Sequence, residues 1–144
     1  MTRLLSIEEV LPLRALVLRD GKLKPEECYN EGDDHPETFH TGYLHTEGVI
    51  GIATFMIEDY PSISGVGFRL RGMAVHPEFQ GTGIGRAVLQ LGYQELLTRN
   101  IDYLWCNARK IAFPFYEKEG FTYLSEEFDI PGIGPHKAMY RNLK

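Results

Sequence analysis

Alternating glycines in Gln80–Arg86, with the sequence Gln-Gly-Thr-Gly-Ile-Gly-Arg, form the pattern that most directly suggests chemistry. This segment follows the apolar stretch Met73–Val75 and precedes a run with helical periodicity, which predicts a strand, a turn and a helix start. The first N–H groups of a helix lack partners within the helix and carry partial positive charge. The glycines would let an anion approach these groups, and Arg86 opposes the helix dipole unless an anion lies nearby. We therefore predict a phosphate-binding turn.

Two nucleotide-binding motifs and a purely structural turn are alternatives to this prediction. The dinucleotide fingerprint is G-x-G-x-x-G at the start of alternating strands and helices, whereas here G-x-G-x-G follows three predicted strands. A P-loop needs G-x-x-x-x-G-K-[ST], and no lysine follows Gly85. Glycines also occur in turns that bind nothing, so the motif alone leaves the structural turn open.

The composition is that of a soluble globular chain. For 144 residues we expect a single domain spanning residues 1–144. The net charge of −5 argues against nucleic acid as the main partner, and it would suit a cationic substrate. Acidic residues interrupt the N-terminus before any long apolar run, and no run is long enough to span a membrane. We therefore expect a cytoplasmic protein without membrane attachment.

The spacing of cysteines and histidines does not indicate a metal site. Cys28 and Cys106 are far apart, and neither belongs to a C-x-x-C pair. Strand alternation would place His40 and His45 on opposite faces of one strand. We expect Cys106, within a buried strand, to be a small core residue rather than a nucleophile.

The periodicity of apolar residues predicts the elements that must position the glycine turn. Ser6 and Glu9 form a capping box at the start of a first helix, which ends near Gly21. The polar stretch that follows is either a mobile connection or a loop that contacts substrate. The predicted strands are Arg3–Ser6, Thr38–His45, Val49–Ile57, Phe68–Val75, Tyr103–Ala108, Phe121–Phe128 and Lys137–Leu143.

Two further helices complete the predicted fold. One runs from Ile84 to about Arg99, and the strands on either side of it should be parallel because they form a crossover unit. The other covers Phe113–Glu119 and stops at Gly120. With a hairpin turn at Thr46–Gly48 and a loop at Asp129–Pro135, the middle strands form an antiparallel meander. The predicted fold class is α+β, with a mixed, mostly antiparallel sheet flanked by helices.

The region around the glycine turn resembles the acyl-CoA-binding motif of the GNAT N-acetyltransferase superfamily. The resemblance rests on Q-x-x-G-x-G beginning at Gln80, directly after a strand that ends M-A-V-H-P. Asn107, the short helix and Gly120–Phe121 are similar to the next motif of that family. Gly134–Met139 is similar to the tail of a subgroup of small bacterial members. The resemblance implies a small, single-domain protein with the GNAT fold.

This resemblance also implies acetyl-CoA as co-substrate and an amine as acceptor, with no metal. Strands Leu70–Val75 and Tyr103–Ala108 would separate, and the pantetheine arm would pair with backbone groups between them like an added strand. Amides of the glycine turn would hold the pyrophosphate. The implied coenzyme-binding residues are Met73, Ala74, Val75, Gln80, Gly81, Thr82, Gly83, Ile84, Gly85, Arg86, Asn107 and Tyr116.

Acetyl transfer to an amine needs a base, an oxyanion donor and an acid. An alkylamine has a pKa near 10.4 and must lose a proton before it attacks. The N–H of Val75 is the candidate donor to the oxyanion. A thiol ordinarily has a pKa of about 8.5 and a phenol a pKa of about 10, so Tyr116 is the candidate acid for the leaving thiolate. The alternative for Tyr116 is aromatic packing against the sheet.

The sequence offers several bases and does not choose between them. Glu58 and Asp59 follow a central strand and are placed to face the cleft, and Glu58 is the catalytic candidate that we name. Asp33 and Asp34 lie in the long polar stretch, where they would attract a cation, and His136 lies in the last loop. Each of these residues also has an ordinary solvated or structural explanation.

Two functional classes follow from these observations. The first is an N-acetyltransferase acting on a small amine or a peptide amine, and the second is a non-catalytic acyl-CoA-binding sensor or regulatory module. Loops Gly21–Glu37 and Asp129–His136 would shape an acceptor pocket, but neither encodes the acceptor. Leu89 and Tyr93 belong either to the core or to a partner surface, so a homodimer stays open.

Overall fold

The computed structural model describes residues 1–46 and 48–144, and its eight strands form one mixed sheet. Their order is β1-β2-β3-β4-β5-β8-β6, with β7 also paired to β8. Every pairing is antiparallel except that of β4 with β5, which confirms the predicted fold class and crossover. The strands are β1 (Thr2–Leu5), β2 (Phe39–His45), β3 (Gly48–Ile57), β4 (Gly67–Val75), β5 (Tyr103–Arg109), β6 (Thr122–Tyr123), β7 (Phe128–Ile130) and β8 (Gly134–Asn142).

Three helices flank the sheet. They are α1 (Ile7–Leu18), α2 (Ile84–Thr98) and α3 (Phe113–Lys118). The predicted capping box at α1 is present, because the Ser6 hydroxyl accepts the Glu9 N–H at 3.3 Å and the Glu9 carboxylate accepts the Ser6 N–H at 2.9 Å. No helix among the described residues is long and apolar enough to cross a membrane.

Each face of the sheet has its own apolar core. On one face, α2 and α3 cover a cluster that includes Phe55, Leu104 and Met139, and Leu89 and Tyr93 are buried there rather than exposed. On the other face, α1 covers a smaller cluster that includes Val10 and Ile52. A partner surface built from Leu89 and Tyr93 is therefore wrong. No residue of β5 or β8 belongs to the α1 cluster. On this face, the part of the sheet formed by these two strands therefore lies outside the apolar core.

The sequence prediction is wrong between β6 and β8. The predicted strand Phe121–Phe128 is interrupted, and β7 occupies part of the predicted loop. The cause is local, because the Ser125 hydroxyl accepts the Ala138 N–H at 2.9 Å and takes the place of a backbone partner. The predicted hairpin turn at Thr46–Gly48 includes Glu47, which lies outside the described residues.

Candidate active site

A wedge-shaped gap separates β4 from β5. The two strands pair only at Gly67–Tyr103, Phe68–Leu104 and Arg69–Trp105. Beyond these pairs β4 continues to Val75 and β5 to Arg109, with no further pairing between them. Backbone groups that lack a strand partner can pair with an extended ligand. The separation expected for the acyl-carrier channel is therefore present in the fold.

A β-bulge and the alternation of the ladder direct backbone groups of β4 into this gap. Gly72 and Met73 together lie opposite Ala53, and Gly72 has φ +63°, which favours glycine. The His76 N–H donates to the Ile50 carbonyl on β3 at 2.8 Å. Because antiparallel ladders alternate, the N–H and C=O of Val75 point away from β3 and towards the gap. The same alternation directs the Ala74 amide to β3, so its backbone is the least accessible of the three predicted positions.

The glycine turn ends this gap and begins α2. Gly83 is the N-cap residue with φ +86°, and Gly81 has φ +79°. A Cβ added to either glycine would meet no atom within 4 Å, so the space in front of both is open. The first helical hydrogen bond runs from the Ala87 N–H to the Gly83 carbonyl at 3.1 Å, and no side chain among the described residues caps the helix. The N–H groups of Ile84, Gly85 and Arg86 thus have no hydrogen-bond partner among the described residues.

Two side chains hold the turn in this shape. The Gln80 side chain donates from Nε2 to the Val75 carbonyl at 3.2 Å, which ties the turn to the end of β4. The Thr82 hydroxyl donates to the Phe79 carbonyl. These contacts give Gln80 and Thr82 a positioning role, and they leave the amides of the turn available.

Gly85 and Arg86 make contacts within the chain that the glycine motif did not predict. Gly85 is buried, and an added Cβ would lie 2.8 Å from the Met73 Cε, so this glycine permits close packing of helix on strand. The Arg86 Nε lies 3.7 Å from a Glu119 carboxylate oxygen. Arg86 thus has a partner within the chain and does not by itself require a bound anion. Arg86 and Lys118 line a polar groove of about 600 Å³ beside the turn.

Tyr116 lies beneath the gap on the α3 side. Its side chain is buried, and its hydroxyl points at the Met73 sulfur, 3.9 Å away. Burial raises the pKa of Tyr116 well above its ordinary value, with neighbouring Cys106 and Tyr93 acting in the same direction. Burial likewise raises the pKa of Cys106 to about 12, so its thiol is protonated at neutral pH. Tyr116 is thus a neutral hydroxyl donor, and Cys106 is a core residue.

Glu58 lies at the closed end of the gap, on the face opposite α2. Its backbone carbonyl accepts the Trp105 indole N–H at 2.8 Å, and its carboxylate lies 3.6 Å from a terminal nitrogen of Arg69. The Arg69 guanidinium lies over the Trp105 ring at 5.0 Å. The neighbouring Asp59 instead accepts the Gly67 N–H at 2.8 Å, which gives it a structural role. Through Arg69 and Trp105, the last pair between β4 and β5, Glu58 is connected to the point where the strands separate.

Two other base candidates are engaged elsewhere. Asp33 is 3% exposed and binds Arg14 through both carboxylate oxygens at 2.7 and 3.1 Å, so it does not attract a soluble cation. His136 belongs to β8 rather than to a loop, is buried, and donates from Nδ1 to the Gly134 carbonyl at 2.8 Å. Asp34 is exposed, outside the gap. Asn107 is half-buried on β5 opposite Ala138, within the separated part of that strand.

Sequence reasoning missed two features of the site. One is the bulge at Gly72, which an isolated glycine within a strand pattern signals. The other is a pair of arginines, Arg69 and Arg71, on one face of β4. Charged residues at alternate positions of an otherwise apolar strand are unusual in a central position, and that pattern was the available signal.

The comparisons with known proteins agree with this geometry. Residues 37–123 match the Acetyltransferase (GNAT) domain family model, and the chain belongs to the GNAT acetyltransferase family. It is 32% identical over 141 residues to the uncharacterized N-acetyltransferase YitI of Bacillus subtilis, covering 97% of this chain and 94% of that protein.

Solved structures share the fold at low sequence identity. Escherichia coli ElaA has a TM-score of 0.78 and 17% identity over 98% of both chains. An aminoglycoside 6'-N-acetyltransferase complexed with coenzyme A has a TM-score of 0.73 and 14% identity over 100% of this chain and 97% of that one. At these identities the likeness establishes the fold alone.

Proposed function

We propose that this protein transfers the acetyl group of acetyl-CoA to a primary amine of a small molecule or peptide. The observation that carries the proposal is the gap between β4 and β5, which leads to the uncapped start of α2. An extended pantetheine arm fits the first feature, and a pyrophosphate fits the second. The coenzyme A bound to the related aminoglycoside enzyme supports this choice of ligand.

The residues around the gap have chemically suitable roles in this proposal. Val75 and Met73 offer backbone groups to the arm, Asn107 lines the opposite strand, and the amides from Gly81 to Arg86 bind the pyrophosphate. The open space at Gly81 and Gly83 passes a simple test of fit, because nothing obstructs an anion there. Arg86, at the end of the turn, and Lys118 line a groove that also contains Glu119, the partner of Arg86.

The proposed reaction is direct attack of the amine on the thioester. Glu58 accepts a proton from the acceptor ammonium through water, since its carboxylate lies beside Arg69 at the closed end of the gap, and the nitrogen then bonds to the carbonyl carbon. The Met73 N–H, which by alternation also points away from β3, donates to the oxyanion while the carbon–sulfur bond breaks, because Val75 lies two residues further from Glu58 and the Tyr116 hydroxyl lies beside Met73. Tyr116 gives its proton to the leaving sulfur and is reprotonated by the second proton that the nitrogen loses, through water, as the amide forms. Because the Tyr116 pKa is raised, the phenol keeps its proton until the thiolate forms beside it.

Calorimetric titration with coenzyme A and acetyl-CoA tests the binding step. Gly81→Ala should weaken binding about tenfold, since an added methyl group obstructs the amides, and tenfold corresponds to about 1.4 kcal/mol. Gly132→Ala is the matched control, because Gly132 has φ +81° against +79° for Gly81 and also has no atom within 4 Å of an added Cβ. The control suffers the same backbone strain at a site away from the turn. Equal losses in both variants, or no heat with the unmodified protein, would refute the proposal.

Thiol release from acetyl-CoA with a panel of amines tests the transfer step. We expect release that depends on the amine and an acetylated product detected by mass spectrometry. Coenzyme binding without turnover on any amine would instead favour the non-catalytic acyl-CoA sensor.

A further inference from the structure

Arg69 and Arg71 lie at the point where β4 and β5 separate, on the face opposite α2 and α3. Arg71 pairs across the sheet with Thr54, whose hydroxyl binds Arg14 of α1, and this fixes the face. Arg69 is the last residue of β4 that pairs with β5, and Arg71 is the next on the same face. The two guanidinium groups therefore border the closed end of the gap, on the same face as Glu58.

These arginines are poorly satisfied by the rest of the chain. Glu58 approaches Arg69 at 3.6 Å, but the Arg69 Nε is buried and has no hydrogen-bond partner among the described residues. Within residues 1–46 and 48–144, no carboxylate lies within 4 Å of the Arg71 guanidinium, and its side chain makes no hydrogen bond. An arginine in a central strand normally has a partner, since removal from water is costly.

The electrostatics of this pair favour an anion. Burial lowers the pKa of Arg71, and the like charge of Arg69 lowers it further. Two partly desolvated guanidinium groups therefore lie near each other. The Asp33 and Glu58 carboxylates that attract Arg71 are already paired with Arg14 and Arg69. A carboxylate or phosphate placed between the two guanidinium groups would relieve the repulsion and satisfy the free N–H groups.

The same face stays basic towards the end of β5. Side chains of Trp105, Asn107 and Arg109 share this face by strand alternation. Beyond them lies a depression of about 440 Å³, lined by Arg109, Lys110, Ile111, Ile133 and Pro135. Lys110 is paired with Glu127 at 3.4 Å, so Arg109 is the side chain that extends the positive charge of Arg69 and Arg71 along this face, against the net charge of −5 that had suggested a cationic substrate.

We propose, resting on the function proposed above, that the acceptor is an amine that also carries a carboxylate or phosphate, bound by Arg71 and Arg69. Glu58 receives the amine of the same molecule. Because the Glu58 carboxylate lies 3.6 Å from Arg69, the amine and the anionic group must be close together in the acceptor. Small amino acids and small phosphorylated amines meet that requirement.

Acetylation kinetics with matched acceptors test this inference. Ethanolamine, serine and O-phosphoethanolamine share one skeleton and carry no anion, a carboxylate and a phosphate, respectively. Tyrosine with tyramine and lysine with cadaverine extend the comparison to larger side chains. We expect kcat/KM at least about tenfold higher for an anionic member than for its anion-free counterpart, as for a charge-assisted hydrogen bond. Serine against O-phosphoethanolamine distinguishes a carboxylate from a phosphate site.

Arg71→Gln tests the assignment to this side chain. We expect the KM for the anionic acceptor to rise about 10- to 100-fold while the KM for acetyl-CoA stays unchanged, with Arg71→Lys in between. Arg19→Gln, at the exposed end of α1, is the matched control and should change neither KM. Circular dichroism and the Tm establish that each variant is folded.

Several results would overturn the inference. Equal kcat/KM with and without the anionic group would do so while leaving the proposed acetyl transfer intact. An unchanged preference in folded Arg71→Gln, or acetyl-CoA binding without acetylation of any anionic amine, would also overturn it. Failure of the wild-type protein to bind coenzyme A at all would instead refute the proposed function.

Discussion

Arg14 of α1 and Arg71 of β4 lie on the same face of the sheet, in regions that differ in how they satisfy a buried charge. Arg14 is 2% exposed, and its terminal nitrogens donate to both oxygens of Asp33, to the Thr54 hydroxyl at 3.0 Å and to the Cys28 carbonyl at 2.9 Å. Arg71 is half-buried beside the gap and has no such partners among the described residues. The chain thus gives Arg14 a carboxylate partner, with its Nε left without a hydrogen bond, and gives Arg71 no ion pair among the described residues.

This difference separates structural charge from charge that is available to a ligand. Asp33 belongs to the long polar stretch after α1, so its ion pair with Arg14 fastens that stretch to the sheet. The backbone N–H of Asn30 also donates to Asp33 at 2.5 Å. The middle of this stretch is therefore anchored to the sheet, which argues against the alternative that the whole stretch is a mobile connection. At the gap, no equivalent carboxylate approaches Arg71 within the described residues, which is where an acceptor is expected.

The largest expected effect is on stability, from Arg14→Met. This change leaves the Asp33 carboxylate buried without its cation and should cost about 3–5 kcal/mol of unfolding free energy. Arg71→Met should change the unfolding free energy by less than about 1 kcal/mol, because it breaks no ion pair. Urea denaturation followed by circular dichroism measures both.

A double variant keeps this prediction testable if Arg14→Met is too unstable to purify. Arg14→Met combined with Asp33→Leu removes both charges, so part of the lost stability should return. The comparison fails if Arg71→Met proves as destabilising as Arg14→Met, since Arg71 would then be a structural residue.

The next largest effect is on turnover, from Tyr116→Phe on the α3 side of the same gap. Loss of the acid should lower kcat about 100-fold, a typical contribution of a positioned proton donor. The coenzyme A affinity should hardly change, and stability should fall by about 1 kcal/mol or less, because the hydroxyl's neighbours are two weakly hydrogen-bonding sulfurs, that of Met73 at 3.9 Å and that of Cys106. Steady-state kinetics and calorimetry measure the two parts separately.

Tyr103→Phe is the control for Tyr116→Phe. The Tyr103 hydroxyl accepts the Tyr60 N–H at 2.7 Å, on the far side of the paired end of β4 and β5. Its removal should lower stability by about 1 kcal/mol and leave kcat unchanged. A normal kcat in Tyr116→Phe would assign Tyr116 to aromatic packing, the alternative that the sequence left open.

Local patterns were sufficient to predict much of this fold. The capping box at Ser6 and the start of α2 at Ile84 follow from a few adjacent residues, and both are confirmed. The crossover between β4 and β5 follows from handedness and from the helix between them. Family membership followed from the spacing of the glycine turn and from the residues after β5, and it is confirmed by the domain match and by YitI.

What sequence reasoning missed depends on contacts between distant residues. Arg14 and Asp33 are 19 positions apart, and Arg86 meets Glu119 only because α2 and α3 pack side by side. Nothing near Asp33 in the sequence distinguishes a buried carboxylate from a solvated one. Likewise, the two arginines of β4 become a site only because β5 diverges from them, which local periodicity does not reveal.

The smallest effect concerns His40, which adjoins the ion pair of Arg14 with Asp33. Its Nε2–H donates to the Asp33 backbone carbonyl at 3.2 Å, and its Nδ1 lies 2.8 Å from the Thr54 hydroxyl, an arrangement that suits the neutral ring. Burial lowers the pKa of His40, the hydrogen bond to the Asp33 carbonyl and the Asp33 charge raise it by less, and the Arg14 charge adds a smaller lowering. The unfolded chain therefore binds a proton below its own pKa of about 6.5 while the folded chain does not. The contribution of His40 to the unfolding free energy is fully present above pH 6.5 and is lost as the pH falls towards the lower folded pKa, at no more than about 1.4 kcal/mol per pH unit.

In urea denaturation from pH 7.5 to 5, His40→Gln should show a flatter loss of stability than the wild type. Parallel curves would mean that His40 has the same pKa in the folded and unfolded chain. The buried site around Arg14 and Asp33 would then not disfavour protonation of His40.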